Sequence, residues 1–272
     1  PRLTSSITLR GHEIMQTTAR WIEDAGYEVI YGDTDSTFVN LEGITAPGQA
    51  SAIGQELQTM INERWQHTLQ TQYGIPCFLE IEFETYFAPF FMPTIRGAVT
   101  GSKKRYAGLK QVNGTESLVF KGLETVRSDW TSLAKTFQQR LYLNVFRGKP
   151  VESLISDTVK QVKGGECDEQ LVYARRLRKP ISAYTKNVPP HVKAARRANE
   201  LARDYGNPQP FADRQTVRYV MTTQGPQTVD TVDCPLDYDH YVDKQIRPIA
   251  ESILPLIGLD FDSMANDQLG LF

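Results

Sequence analysis

The chain has 272 residues, enough for two compact units of the usual size of about 100–150 residues each. Its 40% hydrophobic and 23% charged residues are ordinary for a globular protein, and no apolar run reaches the roughly 20 residues that a membrane span needs. The three scattered cysteines and four scattered histidines show no spacing that suggests a disulfide framework or a zinc site, while the net charge of −2 leaves the function open.

Residues 1–10 lack the charged-then-apolar pattern of a signal peptide. An amphipathic pattern is already running there, so the numbering is expected to begin inside a larger protein. Leu3, Ile7, Ile14, Met15 and Ile22 share one broad face of a helix that ends near Gly26. Two β-prone runs, Tyr27-Glu28-Val29-Ile30-Tyr31 and Ser36-Thr37-Phe38-Val39, flank Gly32-Asp33-Thr34-Asp35 and predict a hairpin. Ile53, Leu57, Ile61 and Trp65 predict a helix over 51–72. Residues 78–87 alternate strictly, with Leu79, Ile81 and Phe83 on one side and Glu80, Glu82 and Glu84 on the other. That period predicts a strand with one buried face. A strand over 104–111 turns at Asn113-Gly114 into another over 117–121.

After Val126 the pattern becomes mostly helical. Ser128 or Asp129 caps a helix to about Phe146, and Pro150 opens another that stops at Gly164-Gly165. Residues 189–204 and 238–256 read as helices, with a β-prone run over 214–223 between them. The fold class is α+β: a mixed unit over 1–126 and a mostly helical unit over 127–272.

The small net charge hides a segregation. Arg175, Arg176, Arg178, Lys179, Lys186, Lys193, Arg196, Arg197 and Arg203 fall within 171–203, against Glu200 alone. Residues 228–272 reverse the balance, with nine acids against Lys244 and Arg247. Such a basic stretch suits a polyanion, although a solvated helix face has the same composition. Lys193, Arg196 and Arg197 lie at i, i+3 and i+4 on one helix face.

Asp33 and Asp35 sit two residues apart, so in an extended chain their side chains point the same way. Magnesium suits such a pair, being hard and preferring carboxylate, water and phosphate oxygens. Asp and Gly are also ordinary turn formers, and spacing alone leaves that alternative open. The row Glu80, Glu82 and Glu84 supplies an auxiliary metal contact or a solvated strand face.

Three stretches, in order, carry a specific resemblance. Tyr31-Gly32-Asp33-Thr34-Asp35-Ser36 resembles the third conserved palm motif of the family-B DNA polymerases. Gly101-Ser102-Lys103-Lys104-Arg105-Tyr106-Ala107-Gly108 resembles their Lys-Lys-Arg-Tyr motif, which meets the primer-template duplex. Gly122-Leu123-Glu124-Thr125-Val126-Arg127-Ser128-Asp129-Trp130 is similar to the segment where palm hands over to thumb. Val188-Pro189-Pro190-His191-Val192 and the end of the chain resemble bacterial members.

The resemblance implies a partial polymerase palm, an antiparallel sheet with helices, over 1–126, and a thumb with a clamp-binding tail over 127–272. It implies Asp35 as the main ligand of Mg²⁺, Asp33 as its supporting partner and Glu82 nearby. Lys103, Lys104, Arg105 and Tyr106 would meet duplex DNA, with Arg175, Arg176, Arg178, Lys193, Arg196 and Arg197 behind the primer end. Gln268, Leu269, Leu271 and Phe272 resemble the peptide that binds the bacterial sliding clamp. The first palm motif, with the other metal-binding Asp, and the fingers motif, which holds the deoxynucleotide, are absent. The expectation is a piece of a DNA-directed DNA polymerase of replication or repair, in a bacterial cytoplasm at the nucleoid, inactive alone but able to bind duplex. The alternatives are a non-catalytic DNA-binding and clamp-binding module, or another metal-dependent phosphoryl-transfer enzyme such as a nuclease.

Overall fold

A computed structural model of the chain describes residues 2–32, 35–44, 46–93, 104–112 and 114–265. The chain groups into two compact units, Pro1–Phe91 with Gly108–Val119 and Met92–Ala107 with Phe120–Phe272.

In the first unit, helix α1 (Arg2–Asp24) and helix α2 (Pro47–Tyr73) pack through their apolar faces. Ile22, Leu57, Ile61 and Trp65 form the buried core between them, with Ile14, Ile53 and Tyr27 around it. Trp65 is satisfied there: its Nε1 donates to Thr18 Oγ1 at 3.0 Å, and its ring lies 4.8 Å from that of Trp21. Pro47 stands in the first turn of α2, where a missing N–H is harmless, and Gly74 ends the helix at φ +65°. The expected hairpin forms from β1 (Glu28–Gly32) and β2 (Thr37–Asn40), paired antiparallel. Val29 pairs with Val39 and Tyr31 with Phe38, so Ile30 is the extra residue of a bulge.

The strand expected over 78–87 does not form. Its alternation survives from Glu80 onward, with Glu80, Glu82 and Glu84 exposed and Ile81, Phe83 and Thr85 half-buried, while Leu79, expected on the inward side, is exposed. The segment lies along α2 and finds side-chain amides where a neighbouring strand would offer peptides. Asn62 Oδ1 accepts from Ile81 N–H at 2.8 Å, and Asn62 Nδ2 donates to Ile81 O at 2.9 Å. Gln58 Oε1 accepts from Phe83 N–H at 2.8 Å. The Phe83 ring fills the place of a side chain on α2: a Cβ on Gly54 would lie 2.4 Å from it.

Strands β3 (Phe90–Phe91), β4 (Tyr106–Val112) and β5 (Thr115–Lys121) form a sheet in the order β3-β4-β5. The turn expected at Asn113-Gly114 thus joins two strands, Asn113 itself lying outside the described residues. The division between the units falls inside β4 and inside β5.

The second unit begins its helices with α3 (Ser132–Phe146) and α4 (Glu152–Lys163). The cap of α3 is Thr131, whose Oγ1 accepts from Ala134 N–H at 3.3 Å, and neither Ser128 nor Asp129 serves. Asp129 is taken by Arg127, which donates from Nε at 3.0 Å and Nη2 at 2.7 Å. That bidentate pair holds the Asp129 carboxyl below the usual carboxylate range. Strands β6 (Tyr173–Arg176), β7 (Thr216–Thr222) and β8 (Gly225–Thr228) form an antiparallel sheet in that order, covered by α5 (Pro190–Asp204). Sequence reading found β7 and α5 but missed the two flanking strands. β8 is an edge, which is why it tolerates Pro226.

The helix expected over 238–256 forms but changes its winding along the way: α6 (Tyr238–Tyr241), a π-turn over Val242–Ile246, α7 (Arg247–Ile253) and a 3₁₀ turn over Leu254–Ile257 follow without a break. Pro248 lacks an N–H and its ring collides with the carbonyl four residues back, so the preceding turn widens. Pro255 tightens the next turn, and Gly258 at φ +71° stops it. A short α8 (Phe261–Ala265) follows. Leu141, Tyr142, Ile155, Ile246, Ile249 and Ile253 form the buried centre of this unit. No helix among the described residues is long and apolar enough to cross a membrane.

Candidate functional site

The acidic pair falls in the sequence between β1 and β2 of the hairpin. Asp33 lies outside the described residues; Asp35 is exposed, and Ser36 Oγ approaches its Oδ1 at 3.4 Å. The hairpin is anchored through aromatic contacts of Phe38, with ring centroids 5.6 Å from Tyr31 and 5.2 Å from Phe90. An exposed carboxylate on an anchored turn is a hard oxygen donor, which fits a divalent cation. Among the described residues, however, no three metal-binding side chains converge. Glu82 is exposed on the extended segment of the same unit.

The basic motif stands at the entrance to β4. Lys103 is outside the described residues. Lys104 is exposed and has φ +65°, an uncommon conformation for a residue with a side chain. Tyr106 is the first residue of β4 and half-buried. Arg105 turns inward: its Nη2 meets Glu124 Oε1 at 2.5 Å. Glu124 is only 8% exposed, and its other oxygen accepts from Gln138 Nε2 at 2.8 Å. Gln138, fully buried on α3, accepts at Oε1 from Thr125 N–H at 2.7 Å and from Thr125 Oγ1. Tyr142 lies one turn further along α3; burial pushes its hydroxyl up to about 12, and that hydroxyl shares a hydrogen bond with Ser252 Oγ at 2.8 Å.

Sequence reasoning missed Glu124 and Gln138 as site residues. A signal was present for Gln138, which sits in the apolar stripe Ala134, Phe137, Leu141 where a polar side chain needs a partner.

The remaining basic candidates are treated unequally by the fold. Lys193 is exposed on α5. Arg196, three residues on, donates from Nη2 to the carbonyls of Ile181 at 2.9 Å and Tyr184 at 2.6 Å, pinning the loop before the helix. Arg197 pairs with Asp233 at 2.9 Å. The Gln227 amide, with Arg197 beside it, holds the Asp233 carboxyl below its usual range. Part of the segregated charge is therefore spent between the basic and acidic stretches. On β6, Arg175 stands 3.9 Å from Asp129, while exposed Arg176 donates from Nε to Arg214 O at 2.8 Å. Arg178 is exposed, with its backbone N–H on the Tyr184 hydroxyl at 3.0 Å. Gln268, Leu269, Leu271 and Phe272 lie outside the described residues.

The profile of DNA polymerase family B matches residues 2–257. DNA polymerase II of Escherichia coli is 53% identical over 272 residues, covering 100% of this chain and 35% of that protein. A DNA polymerase of Archaeoglobus fulgidus is 30% identical over 292 residues, covering 97% of this chain and 33% of its own length. Among solved structures, the family B DNA polymerase of Pyrobaculum calidifontis aligns with a TM-score of 0.58 at 25% identity, over 94% of this chain and 30% of that one. The chain thus spans about a third of the length of these relatives.

Proposed function

The chain belongs to DNA polymerase family B, and from that premise we propose that it serves a DNA-directed DNA polymerase as the end of the palm, over 1–126, and the thumb, over 127–272. The observation that carries the reading is the family match over 2–257, which spans both the hairpin that exposes Asp35 and the Lys-Lys-Arg-Tyr stretch. In the reaction the primer 3′-hydroxyl attacks the α-phosphate of a deoxynucleotide, a new phosphodiester forms, and pyrophosphate leaves. Asp35 and Asp33 would hold Mg²⁺, with Glu82 nearby. Bound there, such ions would supply charge stabilisation to the transferring phosphoryl group. The test is templated primer extension by the polypeptide of natural length, lost on Asp35→Asn; retained extension removes the reading. A bacterial, nucleoid-associated location goes with it, and a band of tagged protein away from DNA in fractionated cells argues against that part.

Lys103, Lys104 and Tyr106 are proposed to grip the duplex at the primer end, with Arg175, Arg176, Arg178, Lys193 and Arg197 on its backbone behind. Contacts of this kind follow phosphates and carry no sequence information, as a copying enzyme requires. Arg196 contributes by holding the loop in front of α5. Lys193→Glu is expected to weaken duplex binding and to lower the salt slope by about one. An unchanged slope in a titration at several salt concentrations removes Lys193 from the interface.

The last residues, Gln268, Leu269, Leu271 and Phe272, are proposed as the peptide that docks on a sliding clamp. Three apolar side chains in a row of five suit an apolar groove on a partner. Deleting 268–272 should abolish co-elution with the clamp and spare duplex affinity; a deletion variant that still co-elutes refutes it.

A further inference from the structure

We propose that Glu124 is a positioning residue for the duplex grip, its buried carboxylate holding Arg105 so that Lys104 and Tyr106 are presented to the DNA. The inference rests on the reading of the Lys-Lys-Arg-Tyr stretch as a duplex contact, and it assigns Arg105 to the hold and away from a phosphate. Four observations within the second unit meet here. Both Glu124 oxygens are engaged, one by Arg105 Nη2 at 2.5 Å and one by Gln138 Nε2 at 2.8 Å. Gln138 in turn fastens Thr125, so the turn after β5 and the side of α3 are tied to the residue that precedes β4. Gly122, at φ +63°, comes so close that a Cβ there would lie 2.2 Å from the Lys104 carbonyl oxygen. Lys104 itself is held at φ +65°.

The chemistry of the pair separates this role from a phosphate contact. A carboxylate shielded from water with two donors on it is a fixed object, and an arginine bound to it loses its freedom to follow a moving phosphate. The arginine side chain enters the backbone at the residue between Lys104 and Tyr106. Its anchoring therefore fixes the bend on which both neighbours ride. Arg105 Nε finds no partner among the described residues, so the hold runs through Nη2. If Arg105 were instead a phosphate ligand, Glu124 would compete with DNA for it.

The two roles predict opposite signs. For a competing carboxylate, Glu124→Gln frees a cation and removes a negative charge, so duplex binding tightens. For a positioning carboxylate, the same change weakens binding, by about tenfold for a loss the size of one charged hydrogen bond. The experiment measures Kd for a primer-template duplex at several salt concentrations, with the polypeptide of natural length. Glu124→Gln and Arg105→Met should each raise Kd with the salt slope unchanged. The paired Arg105→Met/Glu124→Met variant replaces the ion pair with apolar side chains of similar volume and keeps the fold without charges. It should melt closer to the parent's temperature than either single variant, with the Gln138 amide alone losing its acceptor, yet still bind weakly, since thioethers impose no direction. Tighter binding by Glu124→Gln, a slope lowered by about one in Arg105→Met, or parental affinity in the paired variant overturns the proposal. Lys104→Ala guards the premise: if it leaves both Kd and slope unchanged, the stretch does not touch duplex at all and the underlying reading fails separately.

Discussion

Asp35→Asn in the polypeptide of natural length is expected to cut templated primer extension by about a thousandfold or more, a barrier increase of about 4 kcal/mol. The substitution keeps the shape of the side chain and removes its charge. A neutral amide oxygen is a poor ligand for a hard divalent cation, and the charge stabilisation that such a cation gives to transferring phosphoryl groups is worth several kcal/mol. The fold should be indifferent. Asp35 is exposed, and its one described partner, Ser36 Oγ at 3.4 Å, is a weak contact. The melting temperature and the affinity for duplex without nucleotide should therefore stay at parental values. Single-turnover extension checks this, and a rate within tenfold of the parent contradicts the metal role. The 272-residue chain by itself is expected to incorporate no nucleotide, because the resemblance places a further metal-binding aspartate outside it.

Gly122→Ala is expected to unsettle the second unit more than any other single methyl added among its described glycines. Two costs combine. At φ +63° a residue with a Cβ is strained by about 1–3 kcal/mol. The added carbon would also meet the Lys104 carbonyl oxygen at 2.2 Å, and because that is backbone no side-chain rotation relieves it. Something must move, and what moves is the bend that carries Lys104, Arg105 and Tyr106. Denaturant unfolding should show a loss of at least about 2 kcal/mol for the transition of this unit, accompanied by weaker duplex binding. Gly206→Ala is the control: φ is +71° there too, but a Cβ would meet nothing within 4 Å. It should cost only the backbone strain. Equal losses at the two positions would dissolve the argument from close approach.

The site was legible in the sequence to different depths. The hairpin strands and the basic stretch before β4 were readable because turn chemistry and charge are carried by neighbouring residues. The strand expected over 78–87 shows the limit of such reading. Its alternation marked Ile81 and Phe83 as facing inward but misplaced Leu79, which is exposed, and a period of two does not name the partner for the peptide groups. Asn62 and Gln58 on α2 take that part, at separations of 19 and 25 residues. The stripe Lys193, Arg196, Arg197 was likewise a correct helix face with an incomplete meaning. Arg196 and Arg197 find carbonyls and a carboxylate of their own unit, and only the arrangement of β8, α5 and the loop before α5 brings those acceptors within reach.

By itself the sequence determined the helices α1 and α2, the hairpin and the motifs that resemble the family. These rest on periodicity, turn residues and spacing, all of which act over a few positions. Tertiary structure alone decided which charges are available and which are consumed. Arg105 reads as one of three equal cations until Glu124, 19 residues away, is brought against it and shielded from water with Gln138. A charge declares its kind in the sequence, but its strength and its direction depend on the distance and burial of its partner, and folding sets both.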